Sequence, residues 1–306
     1  MQGHQTKNSK GLRVLSLCGG VETGLLALKQ LGIPVAEYHT YEILPEAIAV
    51  SKHHFPEVIH HGDLYEANWE DYIGFDLVMG GMICKSLSRA RIEDKNVNNG
   101  LKGESGIVYE LQKALKIIKP KYFLGENVVP SRDSDLQELN EIMGCEGILI
   151  NSNLFSAQDR ERYYWTNIPI APLPEQCDIV FDDIMEHGVD EKYFYDKPFQ
   201  MIDPNKKHCA NLLVNTMEMN KRIYNPDFKM ATLVCHGGGY HERKVMDNGR
   251  PRKLTEIEYE RCQGLPDNFT NVELNGRKLS YSKRCSLCGN GWTLQVIKHI
   301  FQGIEY

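Results

Sequence analysis

Two segments carry side chains that could act together on one substrate. Cys84 lies in the segment GGMICKSLS at 80–88, where two glycines favour a flexible loop. The neighbouring Lys85 favours the thiolate form of cysteine, which is the form that acts as a nucleophile. Glu126 and Asn127 follow the apolar run YFLG, where partial desolvation would raise the pKa of Glu126 and equip it to donate a proton. The alternatives are a buried structural thiol for Cys84 and a capping role for Glu126.

A third segment, QDRERYYW at 158–165, has the aromatic cluster of an extended strand. Because side chains alternate along a strand, Gln158, Arg160 and Arg162 point to one face. We expect the two arginines to hold a base carbonyl, a phosphate and the carboxylate of Glu126 together.

A glycine turn, LSLCGGVETG at 15–24, follows the first apolar run and precedes a helical pattern. Such a turn lets the backbone approach a ligand at a helix N-terminus, although alone it is a weak signal. Glu42 ends the second strand about twenty residues later, where a carboxylate can bind both ribose hydroxyls of a nucleoside. Asp63 is placed to accept a hydrogen bond from an adenine amino group. Two adjacent glycines suit S-adenosylmethionine as well as they suit a dinucleotide.

Apolar runs and helical patterns alternate strictly from 13 to 170, which predicts βαβ units and a mainly parallel sheet. Ligands in such sheets bind at the carboxyl ends of the strands, where three of these four sites fall. The expected strands are RVLSL, AEYHTYE, FDLVMG, KYFLGEN and GILINSNLF, and the expected helices are Thr23–Leu31, Ala47–His54, Ile107–Ile118 and Leu136–Met143.

The chain divides into four expected parts. A polar tail at 1–11 precedes a catalytic and cofactor-binding domain at 12–170. The stretch at 171–250 is irregular and interrupted by prolines, which indicates a small inserted domain. Two amphipathic helical patterns in 251–306 are expected to return to the first domain.

Composition is that of an ordinary globular enzyme. The 306 residues are 42% hydrophobic and 25% charged, with no apolar run long enough for a membrane span or signal peptide, so we expect a cytoplasmic protein. Nine scattered cysteines favour reduced thiols over disulfides. The lone C-x-x-C of Cys285 and Cys288 has no second pair at metal-ligand spacing, so no metal is expected. His53, His54, His60 and His61 are expected at the surface.

The net charge of −6 conceals a basic segment. Between Pro204 and Lys253 there are ten Lys and Arg residues against four acids, a local excess of about +6. This asymmetry favours an anionic partner such as nucleic acid, and the alternative is a solvated charged surface.

In this order, the four sites resemble those of the DNA cytosine-5 methyltransferases. The resemblance runs from about Leu12 to Phe301 and includes ENV, Q-x-R-x-R, RKLTEIEYERCQGLPDNF at 252–269 and GNGWTLQVIKHIF at 289–301. VDEKYF and ATLVCHGGGY, at 231–240, are similar to segments of bacterial and phage members. LSLCGGVETG and GENVVPSRD are more similar to the vertebrate de novo enzymes.

The resemblance implies a class I, Rossmann-like α/β fold with a mainly parallel seven-stranded sheet and an inserted target-recognition domain. It implies methylation of cytosine in double-stranded DNA by S-adenosylmethionine, leaving S-adenosylhomocysteine, through a Cys84–C6 bond to a flipped base. Arg162 would hold the base O2, while Gln158 and Arg160 would support Glu126. It also suggests a bacterial or phage origin and a cognate restriction endonuclease as a possible partner, with no membrane association.

The implied site residues fall into two further sets. Those for the cofactor are Cys18, Gly19, Gly20, Gly24, Glu42, Ile43, Asp63, Leu64, Leu101, Asn290 and Trp292. Those for DNA are Ser88, Arg89, Arg91, Thr232, Gly237, Gly238 and Gly239.

The chain departs from the family pattern at four positions. Ile83 replaces the proline before the cysteine, and Lys85 replaces the Gln or Asn after it. Cys18 replaces the aromatic that stacks on adenine, and Glu22 adds an acid near the sulfonium site. An RNA cytosine-5 methyltransferase and a catalytically impaired DNA-binding relative therefore stay as alternatives.

Overall fold

The computed structural model describes residues 11–81, 106–175, 177–235 and 239–306. Within these ranges, no helix combines the length and the apolar character needed to cross a membrane.

One seven-stranded sheet organises the larger part of the chain. Its strands are β1 (Leu12–Leu17), β2 (Val35–Tyr41), β3 (Ile59–His60), β4 (Leu77–Gly81), β5 (Tyr122–Val128), β6 (Ile148–Asn151) and β7 (Glu161–Thr166). They lie in the order β3-β2-β1-β4-β5-β7-β6, and β7 runs antiparallel to both of its neighbours while the other pairs are parallel. Strand β1, in the interior of the sheet, is buried along almost its whole length, as expected for a sheet covered on both faces. The predicted mainly parallel α/β sheet is confirmed.

Four helices connect these strands. They are α1 (Thr23–Gln30), α2 (Pro45–His54), α3 (Ile107–Ile118) and α4 (Asp133–Met143). In α3, Ile107, Leu111, Ala114 and Ile118 recur every three or four residues and are all buried. The helix ends at Lys119, which has a left-handed φ of 51° and precedes a proline.

A second sheet of five short strands follows in the chain. Its strands are β8 (Phe199–Met201), β9 (His208–Leu212), β10 (Arg222–Tyr224), β11 (Lys244–Asp247) and β12 (Arg250–Lys253), with α5 (Glu218–Lys221) between β9 and β10. They lie in the order β12-β11-β10-β9-β8. Tyr224 and Val245 from this sheet join the main hydrophobic core, so the two sheets share buried contacts.

The C-terminal segment returns to the first sheet. It contains α6 (Glu256–Cys262), β13 (Glu273–Leu274), β14 (Arg277–Lys278), α7 (Tyr281–Asn290) and α8 (Leu294–Phe301). A capping box between Thr255 and Glu258 starts α6. Helix α8 buries Val296 and Ile300 and packs against α1, close to the start of the chain.

Candidate active site

The turn between β1 and α1 has an unusual backbone. Cys18 (φ 55°), Gly20 (φ 59°) and Glu22 (φ 59°) are all left-handed, a conformation that costs energy at the two non-glycine positions. Such strain persists only where the surrounding structure enforces it, and it is common in ligand-binding turns. Burial raises the pKa of the Cys18 thiol to about 12, so this cysteine stays protonated.

Glu42 braces the turn from the end of β2. Its Oε2 accepts from the Gly20 amide at 2.9 Å, and its Oε1 accepts from the amides of Ile43 and Leu44 at 2.8 and 2.9 Å. These bonds use three of the roughly four acceptor positions of a carboxylate. The remaining position on Oε2 is available to a ribose hydroxyl, and the expected contact with both hydroxyls stays a prediction. Gly20 has open space where a side chain would stand, which leaves room for a ligand.

Two side chains after β2 and β3 suit the other end of a nucleoside. Ile43 is 63% exposed beside Glu42 and offers an apolar surface to a base. Asp63 is exposed and its Oδ1 accepts from the Tyr65 amide at 3.0 Å, while Leu64 is buried beneath it. Asn290 is exposed, and its Oδ1 accepts from the Cys235 thiol at 2.7 Å.

The histidines near these strands are less exposed than expected. His53 and His61 are exposed, but His54 stacks on Phe269 with ring centroids 4.1 Å apart and His60 is half-buried. His61 stacks between His39 and Tyr41, so aromatic packing holds this edge of the sheet.

Glu126, at the end of β5, is held from two sides. The Arg162 Nε lies 3.1 Å from its Oε1, and the Trp292 indole Nε1 donates to its Oε2 at 3.0 Å. The side chains of Glu126 and Arg162 are only 9% and 13% exposed, so water screens the pair little. Asn127 is 1% exposed, and its side-chain oxygen accepts from the Val128 amide at 2.8 Å.

Trp292 connects this carboxylate with the glycine turn. A Cβ on Gly81, at the end of β4, would stand 3.1 Å from the indole Nε1 and 3.7 Å from Glu126 Oε2. A Cβ on Gly24, in α1, would stand 3.5 Å from the indole Cζ3 and would collide with Met79. Glycine at 81 therefore lets the indole lie close to the end of β4, whereas glycine at 24 makes room for Met79, with the indole within van der Waals reach.

The other members of the arginine motif bind backbone. The Gln158 side-chain oxygen accepts from the Leu233 amide at 2.9 Å. One guanidinium nitrogen of Arg160 donates to the carbonyls of Gly289 and Gly291 at 3.2 and 2.9 Å. These buried side chains thus join the segment before β7 to the segment after β10 and to the end of α7.

Two of the expected DNA-binding residues, Thr232 and Gly239, lie in the described part of the chain. Thr232 donates its hydroxyl to the Asp159 carbonyl at 2.7 Å, and the Gly239 carbonyl accepts from the Thr216 hydroxyl at 3.2 Å. The other expected residues, Cys84, Ser88, Arg89, Arg91, Leu101, Gly237 and Gly238, lie outside the described residues.

Part of the basic segment is interior. Lys244 is 1% exposed and donates to three backbone carbonyls at 2.7 to 2.9 Å. Arg252 is fully buried and forms ion pairs with Asp247 at 2.7 Å and Glu258 at 2.6 Å. These two cations stabilise the fold. Because they are buried, they do not contribute to the positive surface that the charge count predicted for an anionic partner. Cys285 and Cys288 are likewise buried, within α7.

Comparison with known families identifies the family of this chain. The family model of the C-5 cytosine-specific DNA methylases matches residues 12–225. The chain belongs to this family. The predicted family, the predicted enzyme class of DNA cytosine-5 methyltransferase and the Rossmann-like fold are confirmed.

Individual relatives of this methylase are distant. It is 24% identical over 296 residues to the type II methyltransferase M1.ScrFI of Lactococcus lactis subsp. cremoris, covering 88% of this chain and 72% of the relative. It is 23% identical to the orphan methyltransferase M.SPBetaI of Bacillus phage SPbeta, covering 95% and 97%. Among solved structures, the Entamoeba histolytica methyltransferase EhMeth superposes with a TM-score of 0.71 at 16% identity, covering 97% of this chain and 100% of that one.

Sequence reasoning on the methylase missed two features of the site. The Trp292–Glu126 hydrogen bond joins residues 166 positions apart, and no local pattern signals it. The Tyr38 hydroxyl donates to Glu22 at 2.6 Å, and Thr40 lies against the same carboxyl. Alternation along β2 could have revealed this second feature, because Tyr38, Thr40 and Glu42 fall on one face.

Proposed function

We propose that this methylase transfers a methyl group from S-adenosylmethionine to C5 of a cytosine flipped out of double-stranded DNA, through a covalent bond between Cys84 and C6. One observation carries the proposal. The Glu126 carboxylate is fixed by Arg162 and Trp292 beside Gly81, and Cys84 follows Gly81 by three residues in the sequence. A nucleophile, a proton donor and a cation that can bind a carbonyl are what cytosine activation requires.

The protein side chains have complementary roles in this reaction. Cytosine C5 is a poor nucleophile, and addition of the Cys84 thiolate to C6 moves electron density onto C5 and N3. Glu126 protonates or hydrogen-bonds N3, while Arg162 binds the base O2, so the developing charge is neutralised. After methyl transfer, a base removes the C5 proton and the electron pair restores the C5–C6 double bond as Cys84 leaves. C6 is inaccessible in stacked DNA, so the base must first be flipped.

The glycine turn and its neighbours fit the methyl donor. Open space at Gly20, one free acceptor position on Glu42 and the exposed Ile43 suit a nucleoside without a pyrophosphate. When bound, S-adenosylmethionine supplies an electrophilic methyl group and leaves as S-adenosylhomocysteine. Trp292 lies between this turn and Glu126, where the methyl group must be delivered.

We further propose that residues 171–250 form the target-recognition domain. The exposed cations of the second sheet, such as Lys206 and Arg222, are available for phosphate, and Gly239 stands next to the remaining glycines of the 231–240 segment. The type II relative from Lactococcus lactis supports action in a bacterial or phage-infected cytoplasm beside a cognate restriction endonuclease. The relative from phage SPbeta is named an orphan methyltransferase and gives no support for such a partner.

The test is a covalent trap. DNA with 5-fluorocytosine at the target has no C5 proton to lose after methyl transfer, so the thiol cannot leave. We expect a denaturation-resistant protein–DNA band that requires S-adenosylmethionine. Cys84→Ser should abolish the band, and Cys145→Ser, which changes a half-buried cysteine after α4, should retain it.

Three results would count against the proposal. Methylation of DNA without a trapped adduct would remove Cys84 as the nucleophile. Binding of flipped DNA with neither methylation nor trapping would favour an impaired relative. Methylation of RNA and not of DNA would favour the RNA-directed reading.

A further inference from the structure

The carboxyl of Glu22 is buried without a compensating cation. The residue is 1% exposed, and its Oε2 accepts from the Tyr38 hydroxyl at 2.6 Å. Its Oε1 has no partner of hydrogen-bond geometry in the described part of the chain, although the nearby Thr40 hydroxyl is close enough to lower the pKa of Glu22. An isolated buried carboxylate is costly, so its usual fate is to be paired or to stay protonated.

This carboxyl lies directly against the glycine turn between β1 and α1. A Cβ on Gly19 would collide with both Glu22 oxygens and with Thr40 Oγ1, so glycine is required there. The Glu22 amide donates to the Gly19 carbonyl at 3.0 Å, which closes the turn above the carboxyl. The next residue, Gly20, faces open space. A ligand seated at Gly20 is therefore separated from the carboxyl by little more than one layer of backbone.

The charge state of Glu22 responds to its surroundings. Burial raises its pKa to about 7, and the Glu42 carboxylate acts in the same direction. The hydroxyl of Tyr38, which donates to Glu22, has a pKa raised well above its usual range and stays neutral near pH 7. A cation placed in the turn would favour the ionised form, because the two charges attract across a poorly screened distance.

We propose that Glu22 is a specificity-determining charge that makes the donor site prefer the cationic sulfonium of S-adenosylmethionine over the neutral thioether of its product. The inference rests on the proposed function. The donor and product differ by one methyl group and one positive charge, so shape alone discriminates them weakly. A carboxylate without an internal cation adds an attraction that only the donor receives, which also favours product release.

The experiment is calorimetric titration of the free protein with S-adenosylmethionine and S-adenosylhomocysteine. Glu22→Gln keeps the shape and removes the charge. We expect it to weaken donor binding about tenfold, the attraction of two unit charges roughly 12 Å apart at an effective dielectric of about 20, and product binding less than about threefold. Glu37→Gln, on β2 but paired with Arg13, is the matched control and should leave both affinities unchanged.

Proton linkage gives a second readout. Between about pH 6 and pH 7.5 the wild type should bind the donor more tightly as pH rises and release protons on binding, as measured in buffers of different ionisation enthalpy. The ligand amino group titrates with either protein, so the difference between wild type and Glu22→Gln isolates Glu22. Equal loss of donor and product affinity, or no loss of either, would overturn the inference. Failure of the wild type to bind either ligand would instead overturn the proposed function, and the inference with it.

Discussion

The indole N–H of Trp292 offers a test of how Glu126 is positioned. Trp292→Phe keeps an aromatic ring between the turn and the carboxylate but removes the donor that lies 3.0 Å from Glu126 Oε2. Arg162 still binds Oε1, so the carboxylate loses one of its two anchors. We therefore expect slower chemistry with little change in substrate binding.

The magnitude follows from the environment of the bond. A hydrogen bond to a charged group contributes about 1.5 to 3 kcal/mol, and the half-buried indole favours the lower value. If that energy is needed to align Glu126 in the transition state, the single-turnover methylation rate should fall about tenfold. The dissociation constant for S-adenosylmethionine should change less than about threefold.

Trp165→Phe is the matched control. Trp165 is fully buried, and its indole donates to Asn140 at 2.7 Å, so the same atom is lost at a site away from Glu126. This variant should unfold at a lower temperature and keep its methylation rate once folded. A Trp292→Phe rate within twofold of the wild type, or a rate loss fully explained by weaker donor binding, would refute the positioning role.

Three further outcomes are expected. Arg162→Lys should lower the single-turnover rate by at least about tenfold while DNA affinity in a gel-shift assay holds, because a point charge cannot reproduce the guanidinium contact with Glu126. Arg252→Met should lower the free energy of unfolding in urea by about 3 to 5 kcal/mol, because it leaves Glu258 buried and unpaired. Glu22 has a folded pKa of about 7 against 4.5 in a model peptide, so its neutral form stabilises the fold at low pH and this contribution is lost as pH rises through 7. Urea unfolding should show wild-type stability falling relative to Glu22→Gln by up to about 3 kcal/mol between pH 4.5 and pH 8.

Local periodicity predicted the framework of the molecule well. The β1, β4 and β5 strands are built on short, mainly apolar runs, and α3 has a regular apolar face, so each is determined by residues close in sequence. Helix α4 begins at Asp133 rather than Leu136, because the first turn of a surface helix is polar and carries no hydrophobic signal.

The chemistry of the site was only partly predictable. Strand alternation placed Arg160 and Arg162 on one face, yet Arg160 reaches the carbonyls after α7 while Arg162 reaches Glu126. The difference depends on which distant segment packs beside each side chain. Burial likewise depends on distant segments, so the count of charges in the sequence did not distinguish the buried Lys244 and Arg252 from surface cations.

The late return of the chain to its first helix has a consequence for biosynthesis. The glycine turn follows the first strand, but the tryptophan beside it, the carbonyls that receive Arg160 and the helix packed on α1 all come from residues 289–301, far along the chain. Contacts between such remote segments form slowly, because a long loop must close before they contribute energy. A nascent or truncated polypeptide should therefore hold an open, incomplete donor pocket. Methylation competence would then arise only after residues 289–301 have been made and have packed against the glycine turn.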